Sequence, residues 1–216
     1  MQGVIDNLGY RRFFDALIAG RLKFGQTLRQ EELAEILGLS LSPMRETTTL
    51  LEAEGMVQVR RKLGITVFRL DVNFMGETFQ FRGMLEREGL RKFASMVTPE
   101  WIDDMRGRHL AVIDLVRTAE TPDAFRGPVR ELESAFHESF ISAYDNRQIE
   151  TVYARLAQKM YIIRLHNMVA VGPANTEKSM REHIAIIDAL ASRDTDGAIA
   201  ALEGHLQAVL HRVLTT

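Results

Sequence analysis

Residues 30–64 read QEELAEILGLSLSPMRETTTLLEAEGMVQVRRKLG, and the rest of the chain is organised around them. Leu33, Ala34, Ile36 and Leu37 repeat at helical spacing, and Gly38 stands where a helix stops. After a short turn over 39–41, Ser42 offers a good N-cap. Pro43 suits the first helical position, where its missing N–H costs nothing. Three residues after that cap stands Arg45 rather than the Glu or Gln of a capping box, so the exposed first turn presents hydroxyls and a guanidinium. Leu50 and Leu51 give this second helix an inner face. Beyond Gly55, Met56-Val57-Gln58-Val59 alternates like a strand, Arg60-Arg61-Lys62 makes a basic turn, and residues 65–68 read as the returning strand past Gly64. Helix, turn, helix and a two-stranded wing with a basic tip define a winged helix-turn-helix. Its second helix would enter a DNA major groove N-terminus first.

Upstream, residues 10–20 (YRRFFDALIAG) place Phe13, Phe14, Leu17 and Ile18 on one helical face, which would pack beneath the helix-turn-helix; Gly20 and Gly25 end and turn this segment. Downstream, the pattern breaks between Phe68 and Phe74. The expected division is a DNA-binding domain over 1–70, a linker over 71–75 and an all-helical domain over 76–216. In that second part helices are expected over 75–96, 98–118, 121–144, 147–171, 175–192 and 194–214. Thr98-Pro99, Thr121-Pro122 and Gly172-Pro173 serve as start and stop signals. The fold class is therefore mainly α: an N-terminal winged helix-turn-helix with a small β-wing and a C-terminal six-helix all-α bundle.

Composition bounds the function. The chain has 216 residues, a hydrophobic fraction of 46% and no cysteine, which fits a globular protein without disulfides or thiolate metal sites. It shows neither a signal peptide nor an apolar run of the roughly 20 residues that span a bilayer, so a cytoplasmic protein is expected. The net charge of −2 is unevenly divided: residues 1–70 hold ten Lys and Arg against eight Asp and Glu, and residues 71–216 hold seventeen against twenty-one. A DNA-binding head would have to gather its cations on one face, and a homodimer would double the footprint.

The N-terminal segment resembles the DNA-binding domain of the GntR transcription regulators, whose signature runs roughly L-A-x-x-L-G-V-S-R-x-P-V-R-E-A-L-x-x-L-x-x-E-G-L-V. Leu33-Ala34, Leu37-Gly38-Leu39-Ser40, Ser42-Pro43-Met44-Arg45-Glu46 and Leu51-Glu52-Ala53-Glu54-Gly55-Met56-Val57 carry the match. Leu41 stands where the family usually has an Arg that reaches DNA, and Thr47-Thr48 replaces the usual Ala-Leu. The resemblance implies a transcription regulator that binds a (pseudo)palindromic double-stranded operator as a homodimer, with repression as the expected sign. Arg29, Ser40, Ser42, Arg45, Arg60, Arg61 and Lys62 are the expected DNA contacts, largely to phosphates. Arg29 reads equally well as a solvated surface residue.

The helical part carries a second constellation. Glu133 and His137 lie four residues apart, on one face of one helix. His183 and His205 each lie along the apolar side of their own helices. A carboxylate and three imidazoles pointing into one bundle would hold a divalent transition metal, with positions left open for water or a ligand. Spacing alone does not separate such ligands from packed histidines. This part resembles the FCD ligand-binding domain that follows the GntR-type head in one large branch of the family. Its pattern has D-x-x-x-H, then E-H-x-x-I-x-x-A-I, then a His in the last helix. Glu133 fills the Asp position, and His137, His183 and His205 fill the His positions. The six-helix count fits the VanR-like form better than the seven-helix FadR-like one. The resemblance implies a bound metal (zinc first, nickel or manganese next) and a small organic acid beside it. It also implies that Arg82, in an R-x-x-L-E context, lines the effector pocket, where a guanidinium can clamp a carboxylate bidentately. The other reading of Arg82 is an i, i+4 salt bridge to Glu86. His109, His166 and His211 match nothing in the pattern and read as structural or surface. A rival reading is a metal-dependent enzyme with an appended helix-turn-helix, against which stands the lack of a separate general base near the ligands.

Overall fold

The computed structural model describes residues 7–167 and 170–215. Two compact units emerge. One contains the described residues up to Met75 together with Ala154–Leu165; the other contains Gly76–Tyr153 and the described residues from His166 onward.

The first unit begins with α1 (Leu8–Ile18), capped by the Asn7 side chain, which accepts from the Tyr10 N–H at 3.0 Å. Tyr10, Phe13, Phe14 and Leu17 are buried as their spacing requires, but Ile18 is exposed at the end of the helix. β1 (Thr27–Leu28), α2 (Gln30–Leu37), α3 (Leu41–Ala53), β2 (Val57–Arg60) and β3 (Gly64–Val67) follow. Gly38 takes the left-handed conformation (φ 61°) that ends α2, and Arg12 of α1 donates to the last carbonyls, Leu37 O at 3.0 Å and Gly38 O at 2.6 Å. α3 starts earlier than the expected cap at Ser42. Ser40 is the N-cap and Pro43 sits further along the first turn, where a missing N–H is still harmless.

The wing pairs β2 with β3 antiparallel, Val57 opposite Val67. It gains a third strand that the sequence reading did not contain: β1 pairs with the other edge of β3, Thr27 opposite Thr66, giving the order β1-β3-β2. Gly64 (φ 112°) permits this pairing, because a Cβ there would stand 2.4 Å from Leu28 O. The core gathers Tyr10, Phe13, Leu33, Met44, Leu51, Met56, Val67 and Ile162. At the end of α3, Glu54 accepts from Arg155 Nη1 at 2.5 Å and Lys159 Nζ donates to the Glu54 carbonyl at 3.1 Å.

The C-terminal part is a bundle of six helices: α4 (Val72–Ala94), α5 (Pro99–Thr118), α6 (Pro122–Ser142), α7 (Arg147–His166), α8 (Pro173–Ala191) and α9 (Thr195–Thr215). Residues 72–75, read from sequence as linker, form the first turn of α4, with Asp71 accepting from the Phe74 N–H at 2.9 Å. α7 stops at His166; of its expected continuation to 171, residues 168–169 lie outside the described residues and Ala170 and Val171 form a turn. Phe93, Phe136, Phe140, Met180, Ile186 and Leu202 lie at the centre of the second core. Gly89 lets α4 approach α6 closely, since a Cβ there would sit 2.4 Å from Phe140 O. No helix among the described residues is long and apolar enough to cross a membrane.

Candidate functional site

Three helices of the second unit bring His137 (α6), His183 (α8) and His205 (α9) together, all buried, with one potential ligand atom from each within 4.8 Å of the others. The apolar faces that bury these helices carry the imidazoles inward. His183 is held flat against Phe136, ring centroids 4.5 Å apart and 22° between planes. His183 Nε2 lies 3.1 Å from His205 Nε2. His137 Nε2 meets no hydrogen-bond partner among the described residues. Glu133, the expected fourth ligand, is buried one turn before His137 but is not a member of the converging group.

Each imidazole has a neighbour on its outer side. His205 Nδ1 donates to Glu182 Oε2 at 2.8 Å, and Glu182 is itself gripped by both Arg212 Nη atoms at 2.9 Å. Burial works to raise the Glu182 carboxyl, but the Arg212 and His205 hydrogen bonds outweigh it and bring it down to about 2. His137 Nδ1 lies 2.9 Å from Glu86 Oε2, at ion-pair distance though not aligned as a hydrogen bond. His183 Nδ1 meets His109 Nε2 of α5 at 3.0 Å, and His109 Nδ1 meets Met105 O at 2.7 Å. Burial drives all four imidazoles toward the neutral form, His205 down to about 3 and His109 down to about 4, with His183 and His137 also lowered. Neutral imidazoles are what a transition metal binds.

Arg82 of α4 is 1% exposed and donates through Nε to Glu86 Oε1 at 2.6 Å, so the salt bridge weighed against its effector role is present. Tyr153 of α7 donates to the same Glu86 oxygen at 2.5 Å. Burial opposes ionisation of Glu86, yet the Arg82 guanidinium and His137 hold its carboxyl far below the usual range. Arg82 Nη1, a buried donor, has no hydrogen-bond partner among the described residues.

In the first unit, Ser42, Arg45, Arg60, Arg61 and Lys62 are exposed, and Ser40 caps α3. Arg29 is the extended residue that opens α2, its N–H donating to Glu32 Oε2 at 2.7 Å, and its side chain is exposed. Leu41, in the position of the family's Arg, is 50% exposed on the first turn of α3.

Sequence reasoning did not find the outer partners. Glu182 had a signal, since it immediately precedes His183. His109 had none: its partners are a carbonyl one turn back and a ring 74 residues away.

A winged helix-turn-helix head followed by an all-helical domain is the arrangement of a DNA-binding transcription regulator. The comparisons agree. The model described as bacterial regulatory proteins, gntR family, matches residues 10–67, and that of the FCD domain matches residues 77–208. The chain belongs to the GntR family of bacterial regulators, in its FCD-bearing branch, and so stands among regulators rather than enzymes. It is 28% identical over 191 residues, covering 88% of this chain and 80% of the relative, to a protein of Paenarthrobacter nicotinovorans named as a probable D-xylose utilization operon transcriptional repressor. Among solved structures it resembles E. coli McbR/YncC (TM-score 0.68, 19% identity, 98% of both chains covered). It also resembles the metal-free FCD domain of TM0439 (TM-score 0.54, 26% identity, 67% of this chain and 94% of that one).

Proposed function

We propose that this regulator is a metal-dependent sensor of a small organic acid, acting as a homodimeric repressor on a palindromic operator. The observation that carries the sensor reading is the convergence of three buried imidazoles, one of them with an unsatisfied Nε2. Three imidazoles with one carboxylate make a nitrogen–oxygen donor set that suits zinc, with nickel and manganese as alternatives. Glu133 is proposed as the fourth ligand, supported by its burial and its place one turn from His137. The metal supplies a Lewis-acidic position for one oxygen of the acid. Arg82 supplies the counter-charge: Glu86 occupies its Nε edge, and the unpaired Nη1 is the atom left to receive a carboxylate.

The exposed residues Arg29, Ser40, Ser42, Arg45, Arg60, Arg61 and Lys62 of the 1–70 head are proposed to meet the operator, mostly at phosphates. The 76–216 region is proposed to hold the metal and the acid. Ligand binding changes operator affinity by a coupling of about 1–3 kcal/mol. The name of the P. nicotinovorans relative supports repression as the sign. The test is a calorimetric and thermal-shift screen of small mono-, di- and hydroxycarboxylates on zinc-loaded protein, beside Arg82→Met and His183→Ala. A ligand that binds wild type, loses affinity in both variants and shifts operator binding is the expected result. A ligand indifferent to both substitutions would remove the proposed pocket.

A further inference from the structure

The buried histidines form a line of contacts that extends past the proposed ligands to His109. Four contacts form one line: Met105 O to His109 Nδ1, His109 Nε2 to His183 Nδ1, His183 Nε2 to His205 Nε2, and His205 Nδ1 to Glu182, at 2.7, 3.0, 3.1 and 2.8 Å. Both ends are acceptors only, a carbonyl and a carboxylate, so the outer imidazoles spend their single N–H outward. That leaves one proton, on His183, for two nitrogen–nitrogen contacts. With the proton on Nε2, His183 bonds to His205, its Nδ1 confronts the bare Nε2 of His109, and the inner lone pairs are blocked. With the proton on Nδ1, His183 bonds to His109, and two bare Nε2 atoms face each other 3.1 Å apart. Only the second arrangement offers both nitrogens to a cation, and a cation there removes the lone-pair repulsion.

We propose that His109 is a positioning residue of the metal centre: by accepting from His183 Nδ1 it holds His183 in the tautomer that presents Nε2 to the ion. This rests on the metal reading above and adds a residue outside the expected ligand set. His109 suits the role because it is itself fixed. It is fully buried on α5, its tautomer is set by Met105 O, and its ring stands edge-on to Phe136. A hydrogen-bond partner on the far nitrogen of a ligating His orients the ring and raises its basicity, and its loss typically costs 10–100-fold in metal affinity.

The test uses the full chain, Zn²⁺ as the probe and two variants. His109→Phe keeps a ring and removes the acceptor; His109→Gln keeps an oxygen near the Nε2 position. Zn²⁺ affinity, read by chelator competition, should fall about 10–100-fold in His109→Phe and stay within about threefold of wild type in His109→Gln. The ¹⁵N spectrum of metal-free protein, with His183 assigned by His183→Gln, should show a protonated Nδ1 and a bare Nε2 in wild type, shifting toward protonated Nε2 in His109→Phe. A folded His109→Phe that binds Zn²⁺ as tightly as wild type overturns the inference, as does His109→Gln falling as far as His109→Phe. If His109→Phe does not fold, His109→Gln and the wild-type spectrum decide. A wild type that binds no Zn²⁺ overturns the metal reading and this role with it, whereas a wild type that binds Zn²⁺ but carries Nε2–H on His183 when metal-free overturns the role of His109 alone.

Discussion

Glu86 is the side chain on which most of the buried polar groups in α4, α6 and α7 depend, and Glu86→Ala exposes that dependence. The carboxylate is fully buried and answers Arg82 at 2.6 Å, Tyr153 at 2.5 Å and His137 at 2.9 Å. Removing it strands a guanidinium that is 1% exposed. Breaking a buried pair from one side costs about 3–5 kcal/mol, because the surviving charge stays desolvated. The Tyr153 hydroxyl then loses its acceptor, which alone is worth about 1–3 kcal/mol in a dry site. These losses overlap, so we expect about 4–6 kcal/mol, a large share of the roughly 5–15 kcal/mol that holds a domain together. Arg82→Met/Glu86→Leu removes both charges, fills the space with apolar atoms and should cost at least 2 kcal/mol less than Glu86→Ala, an estimate of about that size following from the same desolvation argument. The assay is urea unfolding of metal-free protein followed by helical circular dichroism, with separate fits if the two units melt apart. A Glu86→Ala variant that loses under about 1 kcal/mol would refute the reasoning, since it would mean that water reaches Arg82 freely.

Other consequences are simpler to read. Gly89→Ala should destabilise by about 1–3 kcal/mol, because its Cβ would meet backbone at 2.4 Å, whereas Gly107→Ala, with open space around it in α5, should be neutral or gain up to about 1 kcal/mol; thermal melts of the pair check this. Metal-free protein should weaken in mild acid. His109 and His205 are driven below the unfolded value of 6.5, so their contribution is complete above about pH 6.5 and is lost as pH falls toward about 4 and about 3. By pH 5 each has forfeited about 2 kcal/mol, and a pH-independent denaturation midpoint between 7 and 5 would contradict this. Leu41→Arg restores a cation on the exposed first turn of α3; it should tighten operator binding at low salt and steepen the salt dependence by about one unit, read from binding isotherms at several salt concentrations.

Much of this protein was legible because the relevant forces are local. Thr98-Pro99 and Thr121-Pro122 mark the starts of α5 and α6 in sequence and in structure, and Thr98 Oγ1 accepts from the Trp101 N–H as a cap should. Helical spacing places His183 and His205 on the inner faces of their helices, but it is the resemblance to the FCD pattern that singles out His137, His183 and His205, which the structure brings together. The start of α3 was misplaced by a tie: Ser40 and Ser42 are both competent caps, and Pro43 is tolerated throughout the first turn. β1 was missed because two residues carry no period, and only their pairing with β3 makes them a strand. Ile18 shares the apolar spacing of its neighbours but falls at the helix end, where it is left exposed among the described residues. Of Glu86, local sequence shows only the pairing with Arg82, of Glu182 only its place beside His183, and of His109 nothing. Each acts on a side chain from another helix, and nothing in local sequence encodes a contact across 23 to 74 positions.

The most direct test of the central claim is the metal content of the full-length protein, purified without chelator or metal-affinity resin and measured by elemental analysis beside Glu133→Ala/His183→Ala. About one transition metal ion per chain in wild type and none in the folded double variant is the expected result for a site of protein ligands that keeps a position open. No metal in either, with the wild type offered zinc, nickel and manganese in turn, would contradict the account and leave Arg82 and the imidazoles alone to hold the effector.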